Sequence, residues 1–197
     1  MQDPTDRELV DRAKTGDTMA FGLLMRRHEP RIFRLSVHML RDRAEAEDVT
    51  QEAFVRAYRA IERFDGRSEP YTWLYRIAVN LSLNALRSRK SSKVRREGDD
   101  ARLEELMRKV PDADVRNPGG QADRKQTYQA LCEGIDGLSD TLRTTLILVC
   151  IDGRSHDEVA QILGAPEGTI AWRVHEARRK LKEHLKARGI DPEGDGT

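Results

Sequence analysis

Cysteine is scarce in this chain of 197 residues: Cys132 and Cys150 are the only two, with no CxxC pair and no Cys/His quartet near either. That spacing fits no zinc site and offers no disulfide framework. Both stand among apolar neighbours at helical spacing and read as small core residues. Aromatics make up only 5% of the chain, and no window approaches the roughly 18 consecutive apolar residues of a spanning helix, so it reads as not itself a membrane protein. Its first residues, MQDPTDRELV, lack the basic and then apolar stretch of a secretory signal, which makes the cytoplasm the expected location. A Gly-rich phosphate loop, an HExxH and a nucleophile elbow are all missing. The expectation is therefore no enzyme, no catalytic residues, no cofactor and no metal site.

Strand signals are also nearly absent, with no sustained period-two alternation and no Asn-Gly hairpin, whereas helical spacing recurs almost throughout. The fold class expected is all-α. A capping box, Thr5-Asp6-Arg7-Glu8, announces a first helix that Gly16-Asp17 ends. Phe21, Leu24, Met25 and His28 make an apolar stripe leading to Pro30, which should break, kink or restart the helix before Ile32 to Leu40. A third helix is expected from Ala44 to Ile61 and a fourth from Pro70 to Arg89, with the polar loop Phe64 to Glu69 between them. Residues 91–126 hold few large apolar residues and many charges, with Pro and Gly toward the end. They read as a flexible linker with a brief helix near Leu103 to Met107. Helices follow near Thr127 to Gly137, Ser139 to Ile151, Ser155 to Leu163 and Glu167 to Arg188. The resulting organisation is a helical domain over 1–90, the linker, a second helical domain over 127–188 and a disordered tail over 189–197.

The formal net charge of +1 hides a sorting by segment. Arg87 to Arg96 carries six basic residues and no acidic one, and Glu167 to Arg188 seven basic against three acidic. Asp42 to Asp65 carries seven acidic against four basic. Basic faces for phosphate and an acidic face for another partner fit this sorting; so do plain solvated helix faces.

The sharpest local pattern lies near the C-terminus. Ser155-His156-Asp157-Glu158 is a second capping box, Val159, Ile162 and Leu163 give its helix an apolar face, and Gly164-Ala165-Pro166 makes a short turn. Ile170, Val174, Ala177, Leu181 and Leu185 then stripe a second helix, completing a helix-turn-helix. That stripe leaves Thr169, Ala171, Trp172, His175, Glu176 and Arg179 on the open side, at the end that enters a major groove in such motifs. Arg154 and the basic C-terminal turns are candidates for phosphate. The alternative is a helical hairpin in an unrelated bundle, against which an open-side Trp172 weighs.

In the fourth helix Trp73, Leu74, Ile77, Ala78, Leu81 and Ala85 share one arc, while Arg76, Asn80, Asn84 and Arg87 share another. The second arc suits phosphates and bases. Tyr71, Trp73 and Tyr75 crowd the first turns beside the polar loop, where a flipped base could stack; Trp73 as core and Asn80 as ordinary surface is the competing reading. In the third helix Val49, Ala53, Ala57, Ala60 and Ile61 form the buried arc and Glu45, Asp48 and Glu52 the exposed one. Like charges four apart cost an isolated helix roughly 0.2–0.5 kcal/mol, which is compatible with a basic protein partner or with a solvated face.

Taken together, Asp48-Val49-Thr50-Gln51-Glu52-Ala53-Phe54, Tyr58-Arg59-Ala60, Tyr71 through Asn80, and the helix-turn-helix with Gly168-Thr169-Ile170 resemble an extracytoplasmic-function (ECF) sigma factor of the sigma-70 family. The resemblance covers about residues 5–188, with the blocks in order. It implies two domains, sigma2 and sigma4, that bind bacterial core RNA polymerase and read the -10 and -35 promoter elements. It places Glu45, Asp48, Gln51, Glu52 and Phe54 on the polymerase. It assigns -10 DNA to Arg67, Ser68, Tyr71, Trp73, Arg76, Asn80, Asn84 and Arg87, the loop Asp65 to Glu69 capturing an unpaired base. It assigns -35 DNA to Arg154, Thr169, Ala171, Trp172, Arg173, His175, Glu176, Arg178 and Arg179. The linker would thread toward the RNA exit path, and an anti-sigma factor would hold the protein inactive. One departure stands out: where the family commonly has a basic residue and a serine after Gly168-Thr169-Ile170, Ala171 and Trp172 stand here, which implies a more apolar -35 preference.

Two other classes stay in view. An ordinary helix-turn-helix regulator needs neither the acidic third helix nor the aromatic fourth. A nuclease needs carboxylates facing a groove, for which Glu45, Asp48 and Glu52 are the candidates.

Overall fold

The computed structural model describes residues 3–91 and 120–190. Every regular element among them is helical, as expected. The order is α1 (Asp6–Lys14), α2 (Thr18–Leu40), α3 (Arg43–Ala60), a 3-10 turn (Ile61–Arg63), α4 (Pro70–Ser91), α5 (Gly120–Asp136), α6 (Asp140–Leu146) with a π-helical continuation (Ile147–Ile151), α7 (His156–Leu163) and α8 (Glu167–Ala187). The brief helix expected near Leu103 to Met107 and the tail from residue 191 on lie outside the described residues. No helix among those described is long and apolar enough to cross a membrane. The chain divides into two compact units, one centred on α1 to α4 and the other on α5, α6 and α8.

In the first unit, side chains supply the hydrogen bonds that the helix ends lack. The Glu8 amide donates to Thr5 Oγ1 at 3.3 Å and the Thr5 amide to the Glu8 carboxylate at 2.7 Å, the expected capping box of α1. Asp17 and Asp42 cap α2 and α3 from one side only, their carboxylates accepting from the Ala20 and Glu45 amides. Leu9 and Val10 of α1, Leu24, Ile32 and Leu35 of α2, Val49 and Ala53 of α3, and Leu74, Tyr75 and Ala78 of α4 close the core. Pro30 neither ends nor restarts α2, which runs on through it. Proline costs a helix interior about 3 kcal/mol, but Pro30 lies on the exposed side, and Ile32 and Leu35 continue the buried stripe begun by Phe21 and Leu24. At roughly 1.5–3 kcal/mol for each large apolar side chain buried, that packing outweighs the proline. Buried His28 sits 2.6 Å from Asp6, whose carboxylate also takes the Arg27 guanidinium at 2.6 Å, so α1 is stapled to α2. Arg89, near the end of α4, donates to the Leu40 carbonyl at 2.8 Å and pairs with Glu45.

In the second unit, Ile135, Leu138, Leu142, Leu146, Ala177 and Leu181 form the core, with Leu131 packed on it. At Gly134 of α5, an added Cβ would meet Leu181 and His184 of α8 at 2.9 Å, so the missing side chain sets how closely these helices cross. Residues 120–126, read from sequence as the end of the linker, belong to α5. Their polarity hid a run of Gln, Ala, Arg and Lys, which are good helix formers. The π-helical turn has the Asp152 amide donating to the Ile147 carbonyl at 2.9 Å, a wider loop than an α-turn. It changes the angular spacing of the helix, and Cys150 is exposed while Cys132 is buried, so only one of the two cysteines is a core residue.

Candidate functional site

Three exposed faces gather most of the residues singled out by sequence. On α3, Asp48 and Gln51 are exposed opposite the buried arc of Ala46, Val49, Ala53 and Ala57, and Glu45 and Glu52 are half-buried along one edge of it. Glu45 is taken up by Arg89, and Glu52 accepts from Arg56 Nε at 2.7 Å, whereas Asp48 has no ion pair with a described residue. Phe54 departs from its expected place on this face: it is buried among core residues and supports α3 from beneath. Its position falls within the arc of Thr50 and Ala57, which a narrower reading of the apolar stripe left out. Val55 and Tyr58 are exposed instead, Tyr58 packing its ring on Phe21 of α2 at 5.0 Å, and Met19 and Leu23 are exposed on α2. Sequence reasoning missed this apolar margin, whose signal was two large residues outside the buried helical arc.

The second face combines the loop Asp65 to Glu69 with α4. Gly66 takes a left-handed φ of 73°, the Arg67 amide donates to Asp65 Oδ1 at 3.1 Å, and the Arg67 side chain is 89% exposed. Ser68 and Tyr71 are half-buried. Trp73 is half-buried against Phe64, ring centroids 5.0 Å apart. Tyr75 lies fully inside the core, so it is no partner for a stacked base, although Tyr71 meets its edge at 6.4 Å. Arg76, Asn80, Asn84 and Arg87 form an exposed stripe along α4, with Arg87 donating to Asn84 Oδ1 at 3.4 Å.

The third face is the helix-turn-helix of α7 and α8. The Ser155 box is present, with Ser155 N–H donating to Glu158 at 2.9 Å and Glu158 N–H to Ser155 Oγ at 3.2 Å. Ile170, Val174, Ala177, Leu181 and Leu185 are all buried, as their spacing predicts. Ala171, Trp172, His175, Arg178 and Arg179 are exposed and Thr169, Arg173 and Glu176 half-buried; Trp172 is 61% exposed. Arg179 grips both oxygens of Glu176 at 2.8 Å and reaches Glu183 at 2.5 Å. Its guanidinium holds the Glu176 carboxyl below the usual carboxylate range and is itself held more firmly protonated. Arg178 donates to Cys150 Sγ at 3.3 Å. Arg154 departs from the expectation of a free phosphate ligand: its side chain, 12% exposed, pairs with Asp152 at 3.0 Å and Glu158 at 3.3 Å, anchoring the loop into α7.

Comparison with known proteins matches both halves of the chain. Residues 24–92 match Sigma-70 region 2 and residues 128–181 match Sigma-70, region 4. The RNA polymerase sigma-H factor of Pseudomonas aeruginosa is 36% identical over 183 residues, 92% of this chain and 94% of that one. The ECF RNA polymerase sigma-E factor of Escherichia coli K12 is 34% identical over 182 residues, 92% of this chain and 95% of that one. Among solved structures, CnrH in complex with the cytosolic domain of CnrY is similar at a TM-score of 0.66 and 25% identity, covering 92% of this chain and 97% of that one. The sigma factor RpoE of Bartonella quintana, solved with the anti-sigma factor NepR, is similar at 0.54 and 25%, covering 83% and 93%. With two regions matched in order and these relatives aligned almost from end to end, the chain belongs to the sigma-70 family, among its ECF transcription initiation factors.

Proposed function

We propose that this chain docks on bacterial core RNA polymerase through the outer face of α3 and lends it promoter specificity, with α8 reading the -35 element and the 65–69 loop with α4 taking the opened -10 strand. The polymerase supplies the catalysis. Asp48 offers the unpaired carboxylate for a basic partner surface, while Val55 and Tyr58 add an apolar centre that contributes affinity where water is excluded. Arg76, Asn80, Asn84 and Arg87 are spaced to hold a backbone and bases along one strand, and exposed Trp172 and Ala171 meet base edges. The observation that carries the reading is the exposed α4 stripe beside the 65–69 loop, in the same chain as a helix-turn-helix. A repressor that binds closed duplex has no use for it.

By analogy with CnrH and RpoE, solved with the CnrY cytosolic domain and with NepR, an anti-sigma factor is the assigned regulator. The place of action is that of the polymerase, the cytoplasm. Run-off transcription with purified core polymerase and a promoter library tests the assignment. Initiation from a subset sharing -10 and -35 sequences is expected. A folded chain that binds core yet starts no transcript anywhere points instead to the regulator class.

A further inference from the structure

We propose that α1 is a bracket for the -10 loop and that Arg7 is a positioning residue for promoter opening, acting through Glu69 without touching the DNA. The inference rests on the reading that the 65–69 loop takes an unpaired base.

The two ends of α1 meet the two flanks of this loop. In the first turn, Arg7 donates through Nη2 to Glu69 Oε1 at 2.7 Å, with Nε 3.4 Å from Oε2, a two-point grip across 62 residues of sequence. In the last turn, Lys14 Nζ lies 5.5 Å over the ring of Phe64, which leans in turn on Trp73 at 5.0 Å. Arg7 and Lys14 stand about 10 Å apart along the helix axis at 1.5 Å per residue, a rigid rule laid beside a loop that has no regular structure. Glu69 is also where α4 begins, since its carbonyl accepts the Trp73 amide at 3.2 Å. Fixing Glu69 therefore fixes both the loop's exit and the first turn carrying Tyr71 and Trp73. Between the anchors, the loop is held by the hydrogen bond and the ion pair that join Arg67 to Asp65.

The Arg7–Glu69 pair is solvent-exposed, with side-chain exposures of 60% and 52%. Such pairs add little to global stability, so a stability role does not account for what this one does. Its effect falls on the loop, where holding a bound-like shape in advance lowers the ordering cost of binding. It also neutralises a carboxylate that would otherwise face the phosphates of the captured strand.

The test uses holoenzyme reconstituted from core polymerase and the full chain, with a fluorescent single-stranded oligonucleotide carrying the non-template -10 region of the best promoter from the library selection. Arg7→Ala is expected to weaken binding by roughly two- to tenfold, the cost of ordering about one side chain's worth of loop, without moving the thermal midpoint or the affinity for core. The swap Arg7→Glu with Glu69→Arg is expected to restore it. Glu69→Gln, which keeps the side-chain shape, provides a second variant that loosens the grip and is expected to weaken binding less than Arg7→Ala, because it leaves no unpaired carboxylate. Unchanged binding by Arg7→Ala overturns the proposal, and so does a loss that the swap fails to restore, which would mean Arg7 meets the DNA itself. If the wild-type holoenzyme shows no preference for this oligonucleotide over a scrambled one, the assignment of the loop to the -10 strand falls, and the bracket with it.

Discussion

Two single residues carry consequences out of proportion to their size. Burial holds His28 below the usual imidazole range although Asp6 beside it favours the charged form; Arg31 and Arg27 add repulsion. The unfolded chain then takes up a proton near the ordinary histidine value of about 6.5 before the folded chain does. Stability is full above that value and is lost as the pH falls through it. Thermal melts between about pH 5 and pH 8 should show this slope, and His28→Gln, which cannot titrate, should flatten it. Trp172 is the other case. An exposed indole beside Ala171 suits the methyl groups of thymines better than the polar edges of guanines. Trp172→Ser should shift the preferred -35 sequence at one or two base pairs, with discrimination there changing by about 1–3 kcal/mol. An unchanged preference in a promoter-library transcription assay would remove Trp172 from the reading face.

Among the elements, α3 is the clearest division of labour, one side apolar for α2 and α4, the other side charged around exposed Val55 and Tyr58. Reversing Asp48 and Glu52 to lysine should weaken capture of core polymerase by about tenfold or more in a pull-down, since opposed like charges at an interface cost several kcal/mol. Binding of the full chain to a -35 duplex without polymerase should not change. Helices of this kind were legible in the sequence because period and caps agree: Thr5, Ser155 and the Ile170 to Leu185 stripe all fall where their spacing puts them. Tertiary effects were not. Pro30 survives inside α2 because packing on both sides outweighs its local cost, and the π-helical turn at Ile147–Ile151 leaves no composition signal in an all-apolar run. At the candidate surfaces the residue types were readable and their partners were not. Phe54 and Tyr75 turned inward, and Arg154 turned to Asp152 and Glu158, because burial and pairing depend on which helix lies alongside.

For the molecule as a whole, the near-neutral total conceals charges already committed to one another. Arg89 takes Glu45 out of the acidic face while leaving the basic run, and Arg143, nearly buried, sits 3.4 Å from both Asp136 and Asp140. Arg179, lodged between Glu176 and Glu183, shows what this means for promoter binding. A protein cation that neutralises a phosphate sets free the ions condensed on DNA, and each such contact steepens the fall of affinity with salt by about 0.9 in a log–log plot. A guanidinium whose charge is already spent on two carboxylates releases none. Of the seven basic residues from Glu167 to Arg188, fewer than seven should therefore count, and the slope for a -35 duplex should be shallower than about -6. A titration across salt concentrations that returned the full value would show that the Glu176–Arg179–Glu183 chain opens when DNA arrives.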